Sequence, residues 1–206
     1  MFRPFLRLFF RLLYNELAWT YDLVAWLVSF GQWKAWGRAA ISRLRGPRVL
    51  ELAHGPGHLL VAMTRAGFAP VGLDLSSQMG TLAQARLRRV SSPGLVRARV
   101  QAMPFRSGAF DSVVSTFPAE FIVEPATLKE ISRVMEQAGC AVVVPSVAFK
   151  QSLPARFLKW LYTVTGQQES APSSLVEALA EAGLMITIER KQMGMVDVLV
   201  AVATKK

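Results

Sequence analysis

Val49-Leu50-Glu51-Leu52-Ala53-His54-Gly55-Pro56-Gly57 is the stretch on which the fold turns. Val49 to Leu52 is a short apolar run of strand length, interrupted only by Glu51. Two glycines follow, and then a helical stretch that ends near Ala66. A strand that passes through a glycine turn into a helix is the opening of a βαβ unit. Glu51 is a charge inside an apolar strand, which calls for a partner or a ligand.

Outward from that turn the chain alternates strand and helix. Val71–Leu75 reads as the second strand, with Ser76-Ser77 able to cap a helix that runs to about Val90. Leu95–Val100 and Ser112–Phe117 read as the third and fourth strands, and Pro125–Gln137 as helical. Cys140–Pro145 is the fifth strand, followed by helices over Ala155–Thr165 and Ser173–Ala182, the latter closed by Gly183. Met185–Arg190 and Val196–Thr204 are separated by only a short link containing Gly194, so they are expected to form an antiparallel hairpin. The pattern predicts an α/β fold: a doubly wound, mostly parallel, seven-stranded sheet with an antiparallel C-terminal hairpin and an N-terminal helical cover. Ligands of such sheets sit beyond the carboxyl ends of the strands. That points to Ala53–His58, Asp74–Leu75, Arg99–Gln101 and Thr116–Glu120.

The turn also narrows the ligand. A dinucleotide fingerprint places a third glycine where this chain has Leu60, and a phosphate-cradling loop needs Gly-Lys-Ser/Thr, which is absent. His54 and His58 are four apart, but His54 precedes Pro56 within the turn, so they are not expected to clamp a metal. What remains is acidic-x-small-x-Gly-x-Gly: Glu51, Ala53, Gly55 and Gly57.

This turn resembles the first motif of class I S-adenosylmethionine-dependent methyltransferases, whose fold is Rossmann-like. Val71-Gly72-Leu73-Asp74-Leu75-Ser76-Ser77-Gln78-Met79 is similar to the family's second-strand motif. Met103-Pro104-Phe105 with Phe110-Asp111, and Glu130-Ile131-Ser132-Arg133-Val134-Met135 before Ala138-Gly139, resemble the stretches that flank its fourth strand and precede its fifth. The small-molecule, type 11 or quinone-methylase-like subgroup is the nearest in style.

The resemblance implies S-adenosyl-L-methionine as cofactor and S-adenosyl-L-homocysteine as product. It assigns the methionine end to Glu51, Ala53, His54, Gly55 and Gly57, the ribose hydroxyls to Asp74, and the surface beside the adenine to Leu75 and Met79. Ala53 stands where the family commonly has a glycine, which is harmless at negative φ and costs roughly 1–2 kcal/mol otherwise. Arg99 stands where many relatives carry an aspartate. A guanidinium has no acceptor, so the adenine edge passes to Val100 and Gln101. Thr116 closes the set at the fourth strand end.

A sulfonium donor is already activated, so alignment and desolvation of the acceptor carry most of the catalysis. Candidate bases are Glu120, just past strand four, and Tyr14 and Tyr21 from the N-terminal cover. The Asn-Pro-Pro-Tyr motif of nucleic-acid amino methylation is absent, which argues against a nucleic-acid substrate. The expected acceptor is a small, lipophilic molecule. Two other classes stay in view: a non-catalytic cofactor-binding or membrane-docking module, and a nicotinamide-dependent oxidoreductase disfavoured by Leu60.

Bulk properties agree with a globular chain. Its 206 residues are 52% hydrophobic and 18% charged, with a net charge of +10. Arg43, Arg45, Arg48, Arg86, Arg88, Arg89, Arg97 and Arg99 read as charge spread over helix surfaces, and no Lys/Arg block interleaves with aromatics. Cys140 is the only cysteine and reads as buried filler, in keeping with a reducing cytoplasm. The longest apolar candidate, Leu17–Phe30, is too short to span a bilayer and carries Asp22.

Residues 1–46 form an N-terminal helical segment and 47–206 the cofactor-binding domain. Within 1–16, Arg3, Arg7, Arg11 and Asn15 recur every four residues among Phe and Leu. Three arrangements satisfy this pattern: an interfacial helix on an anionic membrane, a helix packed over the domain, or a cover that does both. The expected location is cytoplasmic, with peripheral contact at the inner membrane face. The tryptophans Trp19, Trp26, Trp33 and Trp36 read as core or lid packing.

Overall fold

The computed structural model describes residues 18–90, 94–149, 172–194 and 196–205. The helix expected over 155–165, the segment 1–16 and Tyr14 lie outside the described residues. Before the first strand come helices α1 (Tyr21–Ser29) and α2 (Trp33–Gly37) and a 3-10 stretch, Arg38–Arg43. This helical material is broken into separate pieces at Phe30 and Gly31. Both adopt left-handed backbone, φ 48° and 75°, and end α1 by donating to the Trp26 carbonyl.

The alternating part then follows as β1 (Arg48–Leu52), α3 (His58–Arg65), β2 (Ala69–Asp74), α4 (Ser77–Leu87), β3 (Gly94–Arg97), β4 (Phe110–Thr116), α5 (Pro125–Val134), β5 (Met135–Val144), β6 (Val147–Phe149), α6 (Pro172–Glu181), β7 (Leu184–Met193) and β8 (Val196–Lys205). Strands β3, β2, β1, β4 and β5 lie side by side in that order, all parallel. β8 is antiparallel to β5, and β7 pairs with β8 along its whole length. Gly194, φ 62°, makes the hairpin bend.

The sheet has eight strands rather than the expected seven, because Pro145 and Ser146 interrupt the fifth. Proline has no N–H to give the ladder. The chain resumes as β6, still paired to β8, while the Ser146 carbonyl accepts the Leu199 N–H at 3.2 Å. The third strand ends at Arg97, earlier than expected, and α5 ends at Val134, where Met135 already pairs with Phe110.

Apolar residues cover both faces, as a parallel sheet requires. On one face Leu50, Leu52, Leu73, Val113 and Val143 pack against Leu128 and Ile131 of α5 and Leu175 and Leu179 of α6. On the other, Val49, Val114, Val142 and Val144 meet Trp36, Leu60, Met63, Ala83 and Leu87. Cys140 is fully buried there. Each large side chain so buried contributes about 1.5–3 kcal/mol. The strand order reverses between β1 and β4, so the carboxyl ends of β1, β2 and β4 open onto one edge.

Candidate functional site

The turn after β1 is built from alternating left-handed residues: Ala53 at φ 53°, Gly55 at 52° and Gly57 at 79°. Ala53 is thus on the unfavourable side of the expectation, with a side chain where left-handed backbone crowds a Cβ. The two glycines serve different ends. A Cβ on Gly57 would lie 2.9 Å from that of Ala83, so its absence lets the start of α3 close on α4. A Cβ on Gly55 would meet nothing within 4 Å, so the turn faces open space there.

Leu60, in the place of the third glycine, is fully buried. Its Cδ1 lies 2.7 Å from where a Cβ on Gly72 would be, and the His54 ring comes equally close. The glycine that brings helix and sheet together therefore sits in β2 instead of α3. His54 is 5% exposed and its Nδ1–H donates to the Gly55 carbonyl at 2.6 Å. Burial lowers its pKa and keeps the ring neutral.

Asp74 closes β2. Its Oδ2 accepts the Gly55 N–H and its Oδ1 the Ser76 N–H, each at 2.9 Å. Ser76 in turn caps α4 by accepting the Met79 N–H at 3.2 Å. Two acceptor positions on the carboxylate stay available at the mouth of the turn.

Glu51 is opposite Gly72 in the β1–β2 ladder and is 3% exposed. Its Oε2 is buried without a hydrogen-bond partner. Burial first, and then the Asp74 charge, push its pKa well above the usual carboxylate range, against a backbone hydrogen bond from Leu60. An orphaned carboxylate oxygen beside an open turn is suited to a small cation that supplies the missing hydrogen bonds.

The N-terminal helices roof this edge. Trp33 stacks on Phe117, just past β4, with ring centroids 4.1 Å apart, and Gly37 lies against Thr116. Phe117 itself is held at φ 50°. From α1, the two Asp22 oxygens reach Nε2 of His58 at 2.6 Å and Arg86 at 2.7 Å. Arg86 also donates to the Pro56 carbonyl within the glycine turn. The His58 hydrogen bond holds the Asp22 carboxyl below its usual value, while burial keeps His58 below the ordinary imidazole value.

The expected site residues separate into two groups. Glu51, Ala53, His54, Gly55, Gly57, Asp74, Leu75 and Thr116 gather at the carboxyl edge, with Leu75 60% exposed. Met79 is 1% exposed, so its side chain is core and the open apolar surface there is that of Leu75. Val100 is 9% exposed in the loop after β3, and Gln101 donates to Glu124 at 2.6 Å. Glu120 is exposed in a 3-10 turn, Glu120–Val123, and Tyr21 opens α1. His54 and His58 face different partners and do not converge. Trp36 and Trp33 pack as expected, whereas Trp19, in the 3-10 turn before α1, and Trp26, on the outward face of α1, are 74% and 59% exposed and belong to neither core nor lid packing.

Sequence reading missed Arg86 and Arg97 among apparently solvated arginines. Arg97 donates to the Leu75 carbonyl at 3.0 Å, at the site's edge. It also left the Glu-Ile-x-Arg motif without a mechanism. Glu130 accepts the Met103 N–H at 2.6 Å, and Arg133 donates to the Met103 and Phe105 carbonyls. The pair braces the loop that leads into β4, and Arg133 holds the Glu130 carboxyl below its usual value.

A family model described as a methyltransferase domain matches residues 50–143. The ubiquinone/menaquinone biosynthesis C-methyltransferase UbiE of Geotalea uraniireducens is 32% identical over 188 residues, covering 82% of this chain and 79% of that protein. A demethylmenaquinone methyltransferase of Mycobacterium bovis is 29% identical over 178 residues, 82% of this chain and 74% of that one. Among solved structures, geranyl diphosphate C-methyltransferase of Streptomyces coelicolor, in complex with Mg2+, geranyl diphosphate and S-adenosyl-L-homocysteine, superposes with a TM-score of 0.64 at 15% identity. The match covers 84% of this chain and 79% of that one.

Proposed function

The chain belongs to the class I S-adenosylmethionine-dependent methyltransferases of the type 11 group, and from that premise we propose how its own residues hold the cofactor and which acceptor it serves. It transfers a methyl group from S-adenosyl-L-methionine to a small-molecule acceptor. The buried, unpartnered Glu51 Oε2 beside the open face of Gly55 carries the assignment of the methionine end. Glu51 takes the ammonium, and the turn from Ala53 to Gly57 lines that end with backbone. Asp74 accepts the ribose hydroxyls through the lone pairs not used on Gly55 and Ser76. Leu75 is the apolar wall beside the adenine, with Val100 and Gln101 at its edge.

When bound, the cofactor supplies a methyl group already activated on a sulfonium. The chain's part is to hold the acceptor in line and keep water out, which the Trp33–Phe117 contact over the end of β4 serves. Glu120 and Tyr21 are the candidates to take a proton from the acceptor. Residues 1–46 act as the cover and 47–206 as the cofactor domain. We propose a lipophilic, quinol-like ring as acceptor, supported by the names of the relatives. The aromatic and cationic segment 1–16 supports a cytoplasmic protein peripheral to the inner membrane face.

Calorimetry with S-adenosyl-L-homocysteine tests the site. The wild type is expected to bind, and Asp74→Ala to lose about 1.5–3 kcal/mol, the value of a hydrogen bond to a charged group. Absence of wild-type binding overturns the assignment. Turnover with labelled cofactor and short-chain demethylated quinols tests the acceptor: binding without methyl transfer to any ring acceptor would reject that part.

A further inference from the structure

Helix α1 has two unlike faces. Ala25 and Ser29 turn inward, at 9% and 1% exposure, and Ser29 accepts the Trp33 N–H at 3.0 Å. Asp22 faces His58 and Arg86. The opposite side carries Leu23, Trp26 and Leu27, with Trp19 in the 3-10 turn just before the helix and Phe30 at its end; every one of them is more than half exposed. Positions 23, 26 and 27 follow helical spacing within α1 and so share one face, and Trp19 and Phe30 extend this exposed apolar stretch at the two ends of the helix. The other large exposed apolar residues, Leu75, Met185 and Ile188, lie on β7 and beyond β2. A contiguous patch of this kind marks an interaction surface.

Charge selects the partner. Residues 1–46 hold seven Lys and Arg but only two acids, Glu16 and Asp22. Asp22 is already paired with Arg86, and exposed Lys34 and Arg38 follow the patch. Leucines between two tryptophans have little to offer a nucleic acid. Tryptophan favours the headgroup level of a bilayer, aliphatic side chains favour the acyl boundary just below, and cations favour anionic lipid.

We propose that the outward face of α1 is a docking surface for an anionic lipid bilayer. The seat is oriented. Asp22 joins the inward face to His58 at the start of α3, and Arg86 continues the link to the Pro56 carbonyl. Docking through α1 thereby holds the carboxyl edge of the sheet at the lipid surface. This deepens the reading of a lipophilic acceptor by naming the phase from which the acceptor comes.

The experiment is co-sedimentation of the full chain with phosphatidylglycerol-containing vesicles and with pure phosphatidylcholine vesicles, alongside tryptophan emission. The comparison is wild type against the double variant Leu23→Gln/Leu27→Gln, whose exposed positions leave the core untouched. Wild type is expected to sediment with anionic vesicles, with blue-shifted emission, and to release with added salt. The double variant is expected to partition about tenfold more weakly, since burial of apolar side chains drives interfacial binding. Wild type left in the supernatant overturns the proposal. So does equal sedimentation of the double variant, or sedimentation velocity showing a wild-type dimer that the double variant loses. Binding that survives the double variant but vanishes on removing residues 1–17 would assign docking to that segment instead, and also overturns it. Turnover of a detergent-solubilised short-chain quinol separates the two readings: the double variant should match wild type there, and failure of both is a failure of the acceptor reading alone.

Discussion

The Asp74 carboxylate receives the Gly55 backbone N–H at 2.9 Å, so a single side chain at the end of β2 fixes the turn after β1. Its other oxygen receives the Ser76 N–H. An asparagine can accept only one of these bonds. Asp74→Asn is expected to lower unfolding stability by about 1–2 kcal/mol in urea, the range for leaving a partly buried donor unpaired. The same variant should bind S-adenosyl-L-homocysteine more weakly. Unchanged stability would show that the turn holds its shape without Asp74.

Ala53 at φ 53° stores strain in the cofactor turn. Ala53→Gly removes a cost of roughly 1–2 kcal/mol in the folded state and gives back about 0.5–1 kcal/mol through the freer unfolded chain. A net gain of up to about 1.5 kcal/mol is expected by thermal or urea unfolding. A loss of stability would contradict the strain.

Glu51 gives the ligand-free protein an unusual pH response. Its folded pKa lies above the unfolded value of 4.5, so its contribution to stability is complete below that pH and is lost as pH rises towards the folded pKa. Glu51→Gln is expected to flatten that slope and to leave the ligand-free fold as stable or more so. Binding of a cationic ammonium favours the ionised form, so cofactor binding should release a proton. Calorimetry in buffers of different ionisation enthalpy reads that release directly, and Glu51→Gln should abolish it.

Asp111 has the opposite sign. Arg48 donates to it from side chain and backbone and holds its pKa down to about 2, from 3.8. Its stabilisation is therefore present above about pH 4 and disappears as pH falls towards 2. Asp111→Asn should lower stability near neutrality and show a shallower acid limb. An acid limb identical to wild type would remove Asp111 from the account.

The elements that could be read from the sequence were those whose cause is local. The glycine turn, the Ser76 cap, the hairpin at Gly194 and the buried strands all depend on residue types a few positions apart. What stayed hidden depends on partners far along the chain. Gly72 is an ordinary strand glycine until Leu60 and His54 are seen to need its missing side chain. Arg86 is one of many surface arginines until the fold brings Asp22 beside it, 64 positions away. The left-handed backbone at Ala53 follows from the turn as a whole and not from alanine, whose preference it opposes.

The place of β8 bears on how the chain reaches this state. β8 is bordered on one side by β5 and β6 and on the other by β7, although it is the last of the described strands to be synthesised. Until residues 196–205 have emerged from the ribosome, β5 presents an unsatisfied backbone edge and β7 has no neighbour in the sheet. From the completion of β5 at Val144 until β8 emerges, the nascent chain therefore holds five parallel strands with that edge open. That exposed edge is a template for pairing with other chains until β8 docks and covers it.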